Sequence, residues 1–110
     1  MATVYKVLGQ SAPTNTSDTN LYPVPADTST VISTLRVANL TATAATFSIY
    51  VRVAGAAASA ANTVAKDVTL AANSIFSATE GMTLAATDVI TVQSGTANAL
   101  SFNLFGSEIS

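Results

Sequence analysis

Apolar and polar residues alternate along most of the chain with a period of two, the signature of half-buried β-strands rather than helices. The alternation is sharpest in TFSIYVRVAG (residues 46–55). Phe47, Ile49, Val51 and Val53 fall on one face there, and Ser48, Tyr50 and Arg52 on the other. TVISTLRVANL (30–40) reads the same way, with Leu35 and Val37 on one face and Thr34 and Arg36 on the other. So does ALSFNLFGSEI (99–109), where Leu100, Phe102 and Leu104 point inward and Phe105 points outward. Shorter strands are predicted at 3–9, 63–70, 74–79, 82–84 and 89–94. The expected core is Leu35, Val37, Phe47, Ile49, Val51, Val53, Leu84, Ile90, Val92, Leu100, Phe102 and Leu104.

The segments between these strands are built for turning. SAPTNTSDTN (11–20) is dense in turn formers. LYPVP (21–25) is extended, but Pro23 and Pro25 cannot donate to a ladder, which places it at an edge or outside the sheet. GAAASAAN (55–62) favours a helical turn by composition, yet it is too short for a stable helix and reads as a loop with one turn. Asn73 suits a left-handed backbone, and Asp88 suits a turn in which its carboxylate binds nearby amides. Glu80 also falls beside a turn. About eight short strands at this spacing predict an all-β, antiparallel β-sandwich, with jelly-roll wiring as one option and a closed barrel as the alternative.

The 110 residues suffice for one domain, 1–110, with a single core. Composition narrows what that domain can do. There is no Cys, hence no disulfide and no thiolate metal site, and no His, which removes the commonest general base and metal ligand. Charged residues are 9% of the chain, against about 25% in ordinary soluble domains. The net charge of −2 includes no basic patch, so nucleic acid is not an expected partner. Much of the 49% hydrophobic content is Ala, and no apolar run is long enough to span a membrane. The start, MATVYKVLGQ, lacks the pattern of a secretory signal, and synthesis in a cytoplasm is expected.

Catalytic patterns are missing. G-x-S-x-G, Walker A and dinucleotide fingerprints do not occur, and no D-x-D-x-D spacing suggests a calcium loop. Thr and Ser abound without a base to activate them. Lys66 and Asp67 read as a solvated pair. The tripeptides Asn15-Thr16-Ser17 and Asn39-Leu40-Thr41 match the glycosylation pattern, as chance allows in a chain this rich in Thr and Ser. No catalytic residue, metal site, cofactor or small-molecule substrate is expected. Tyr50 and Phe105, aromatic on outward faces, are the candidate subunit-interface residues.

LYPVP, STLRVANLTATAATFSIYVRVAGA and LAANSIFSATEGMTLAATDVITVQSGTANALSFNLFGSEIS, in that order, resemble small structural proteins of tailed bacteriophage virions, cyanophages in particular. The recurring elements are an LYxVP segment, a GxTLAAxDVIxV hairpin and an LSFNxFGSEI ending, and together they cover Leu21 to Ile109. The chain departs from that group at ASAANTVAK, which lacks aromatic residues. The resemblance implies a non-enzymatic β-sandwich of the capsid decoration, or cement, type. Its partner would be the major capsid protein, its assembly a homotrimer, and its location the capsid surface after synthesis in the bacterial host. A tail, baseplate or fibre-tip domain that contacts the host is the alternative.

Overall fold

A computed structural model describes residues 2–79 and 81–110, so the turn expected at Glu80 lies outside the described residues. Among the described residues, the strands are β1 (Thr3–Ser11), β2 (Thr19–Pro23), β3 (Ser29–Asn39), β4 (Ala45–Arg52), β5 (Thr63–Leu70), β6 (Ile75–Ala78), β7 (Met82–Leu84), β8 (Val89–Ser94) and β9 (Leu100–Ile109). They form two antiparallel sheets. The first runs β1-β9-β3-β6, with β7 also paired to β3, and the second runs β2-β8-β4-β5. The pairings nest: β1 with β9, β2 with β8, β3 with β6 and β7, β4 with β5. This is jelly-roll wiring, with one strand split into β6 and β7, and the sandwich reading holds over the barrel. The strand beyond the expected eight is β2, an edge strand containing Pro23, as its prolines require.

The core lies between the sheets. Leu35, Val37, Phe47, Ile49, Leu84, Ile90, Val92, Leu100, Phe102 and Leu104 are buried there as the alternation predicts, and Val51 packs against them half-buried. Phe47 and Phe76 join the two sheets, with ring centroids 5.1 Å apart and the rings tilted at 50°. Val53 is a correction. It was expected inward on a longer strand, but β4 ends at Arg52 and Val53 opens a 3-10 turn, Val53–Gly55, where it is 65% exposed. Ala54 in that turn has a φ of 53°, which breaks the alternation.

A bulge in β3 adds core residues that a single alternation misses. Ile32 pairs with Gly106, yet Thr34 pairs with Phe105, so Ser33 is an extra residue. Thr30 and Ile32 therefore point inward along with Leu35 and Val37, and all are almost fully buried. The Ser33 hydroxyl donates to the Phe105 carbonyl at 3.1 Å, which supplies that carbonyl with a partner where the ladder shifts. β1 is bulged opposite, between Val7 and Gly9. A Cβ at Gly9 would run into the Leu21 carbonyl, so the crossing of β1 over β2 needs glycine there.

The closing strand answers to this wiring. β9 lies between β1 and β3 and is paired along both sides, so its apolar alternation is covered within the molecule.

Candidate interaction surface

The outer faces of the two sheets differ. On the second sheet, Ser48, Tyr50 and Arg52 point outward as predicted, but Asp67 of β5 bonds to Ser48 and the loop after β4 folds back over Tyr50 and Arg52. Arg52 donates to the carbonyls of Ala56 (2.7 Å) and Gly55 (3.0 Å), to Asn20 Oδ1 (3.0 Å) and to Thr91 Oγ1 (3.1 Å). Asp88 accepts from the Ala85 amide of its own turn and from the Ala54 amide, both at 2.9 Å. The expected turn role of Asp88 is thus met, and the same carboxylate also pins the loop. A further 3-10 turn, Ala60–Asn62, leads into β5.

Tyr50 lies beneath this loop at 7% exposure, with its hydroxyl 3.5 Å from Lys66 Nζ. The expectation of an exposed Tyr50 is therefore corrected: its face is outward, but its own chain covers it. An open hollow of about 580 Å³ remains beside it, lined by Tyr50, Ala58, Ser59, Ala60, Thr63 and Lys66. Its titratable side chains are Tyr50 and Lys66, and it contains no carboxylate. Among the described residues, no group of three or more His, Cys, Asp or Glu side chains could hold a metal ion. Lys66 and Asp67 form an exposed pair at 4.0 Å, as expected.

The two glycosylation-like sites also resolve structurally. Asn39 is buried, and its amide donates to the Thr43, Leu70 and Ala71 carbonyls at 2.9, 3.1 and 3.3 Å while its oxygen accepts from Thr41. It is a loop clamp. Asn15 accepts from the Ser17 amide at 3.0 Å in an exposed turn.

The outer face of the first sheet is open. One row across it runs Val7, Phe105, Thr34 and the next runs Tyr5, Ser107, Val31. Tyr5 is 84% exposed and Val7 49%, and Phe105 is partly exposed between its neighbours. Farther along, the face becomes polar: Gln10 donates to Asn103 at 2.8 Å, and Arg36 to Ser77 at 3.2 Å. Arg36 is the single charge on this face among the described residues. Phe105 thus lies on an accessible surface and Tyr50 does not, and the two are on opposite sheets. The residues missed from the sequence are Tyr5 and Val7, whose strand was recognised but whose position at a sheet edge was not.

Behind the apolar end, a polar cluster closes the mouth of the sandwich. Tyr22 on β2 shares a hydrogen bond with Thr30 at 2.8 Å and donates to Glu108 at 2.5 Å. Lys6 pairs with Glu108 at 2.9 Å. Burial, and then the carboxylate of Glu108, push the Tyr22 phenol up to about 12. The Tyr22 hydroxyl, and then Lys6, hold the Glu108 carboxyl below its ordinary range. The cluster ties β1, β2, β3 and β9 together across both sheets.

No protein-family model matches the chain. No curated protein matches it either.

Proposed function

We propose that this chain is a non-enzymatic structural subunit of a tailed-phage virion, a capsid decoration protein that binds the outer surface of the major capsid protein shell and stabilises it. The observation that carries the reading is the open outer face of the first sheet, nearly free of charge, with Tyr5, Val7 and Phe105 at its apolar end. Exposed apolar patches of this kind serve association rather than solubility. The ordered resemblance from Leu21 to Ile109 supplies the virion context. Jelly rolls build capsid and lectin domains alike, so the architecture is compatible with the reading without selecting it. A homotrimer would match the threefold positions of an icosahedral shell.

A protein that binds the assembled shell and not its separated subunits stabilises the shell by mass action. Particles stripped of the protein should stay closed but release their genome at a lower temperature, and adding the protein back should restore the original temperature. Equal release temperatures in stripped and restored particles, with a handful of copies confined to the tail, would replace this reading with the tail or fibre-tip one. Hundreds of copies per particle would favour the shell.

A further inference from the structure

We infer that β1 is an assembly edge, and that it pairs with β1 of a second copy of this chain, antiparallel, about a dyad at Tyr5. The first observation is how the other edges are built. β2 is short and contains Pro23, whose missing N–H blocks a ladder. β5 is bulged, with Lys66 and Asp67 exposed and Asp67 at a φ of 47°. β6 and β7 are four and three residues long. Prolines, bulges, charges and short strands are the means by which sheets avoid edge-to-edge pairing. β1 has a regular stretch from Thr3 to Val7 before its bulge, without proline. Its one charge, Lys6, lies on the inner side and is held by Glu108.

The second observation is the direction of the free backbone groups. Ala2 and Ser110 exchange both of their hydrogen bonds, at 2.7 and 2.9 Å. Bonded and non-bonded pairs alternate along an antiparallel ladder. Val4 and Lys6 therefore bond to β9, and the N–H and C=O groups of Thr3, Tyr5 and Val7 point away from the sheet. The side chains of these three residues share the outer face. The arrangement is self-complementary. About a dyad at Tyr5, Thr3 meets the partner's Val7 and Tyr5 meets the partner's Tyr5, while Lys6 meets the partner's Val4 rather than a second lysine.

Among the described residues β1 is the single open edge, and this fixes the symmetry. A ring built by head-to-tail strand pairing needs two open edges, so this pairing closes as a twofold dimer. It would replace the trimer in the proposed function, and it stands independently of the shell reading. Buried aromatics each remove about 150–250 Å² from water. Two tyrosines and a short strand pair give an interface at the small end of the specific range, and the dimer should dissociate on dilution.

Sedimentation equilibrium should show the wild-type mass rising from monomer to dimer between low-micromolar and submillimolar concentrations. Tyr5→Pro removes an N–H that β9 does not use, and Tyr5→Lys sets like charges across the dyad. Both should stay monomeric throughout, with melting temperatures within a few degrees of wild type. The chain has no cysteine, so Tyr5→Cys can form only an intermolecular disulfide, across Cα atoms about 5.5 Å apart. It should oxidise to a covalent dimer much faster than Ile75→Cys, which is 58% exposed on β6. A wild-type chain that stays monomeric at every concentration, a trimer, or equal cross-linking of the two cysteine variants would overturn the inference.

Discussion

Replacing Tyr22 by Phe keeps the ring and removes one oxygen, which isolates the cluster at the sandwich mouth. The hydroxyl is held between Thr30, fully buried, and Glu108. A hydrogen bond to a charged group contributes about 1.5–3 kcal/mol, and a buried hydroxyl left without its partner costs about 1–3 kcal/mol. These terms overlap, and about 2–4 kcal/mol is expected in all. Urea unfolding at pH 7 should show a lower midpoint with an unchanged slope, since the surface exposed on unfolding is the same. The pH dependence supplies a second reading. The unfolded phenol loses its proton near 10.0 and the folded one near about 12. The unfolded state therefore releases its proton first, and wild-type stability should fall as pH rises through that window. Discounted for solvent at the open end, the loss is roughly 1–2 kcal/mol. Tyr22→Phe should lack this component. Glu108 acts at the other end of the scale. Its folded carboxyl is depressed, so its contribution is intact at neutral pH and drains away as pH falls through the folded value. A Tyr22→Phe cost under about 0.5 kcal/mol at pH 7, with the same alkaline loss in both proteins, would refute the account.

Phe102→Ala and Phe47→Ala should each cost about 3–5 kcal/mol in the same assay, because both rings are essentially fully buried between the sheets. Costs below about 1 kcal/mol at both would mean that neither ring is in the core. Gly9→Ala should cost about 1–3 kcal/mol, since its Cβ meets the Leu21 main chain rather than a movable side chain; a neutral result would show that β1 and β2 separate easily. Calorimetric titration with calcium or zinc should give no stoichiometric heat, and a micromolar site would contradict the account of the carboxylates as turn and mouth residues.

The strands were legible in the sequence because β4 and β9 alternate strictly, and the close spacing of the turn signals carried the fold class. The exceptions have local physical causes. Thr30 and Ile32 were hidden by the extra residue Ser33, which reverses the parity of β3 partway along. Val53 was drawn into the core by extrapolating β4 through a turn set by the Asp88–Ala54 bond. Tyr50 was placed on the right face, but a period of two says nothing about a loop that later folds over that face. Of the surface residues, Phe105 was recognisable as an outward aromatic within its own strand. Tyr5 needed the sheet order, because exposure at an edge depends on which strands are neighbours. The Tyr22–Glu108 bond joins residues 86 positions apart, a distance that no local pattern bridges.

The position of β9 also bears on synthesis. β1 and β3 do not pair with each other; each pairs with β9, the last strand of the domain to be made. At a translation rate of about 5–20 residues per second, β3 waits ~4–14 s on the ribosome for residues 100–109. The first sheet therefore cannot close before residues 100–109 have been made, and it closes at the slow pace set by non-local strand pairing. A chain stopped short of residue 100 would leave β1 without a partner and β3 paired only to β6 and β7, with one ladder edge open to other chains.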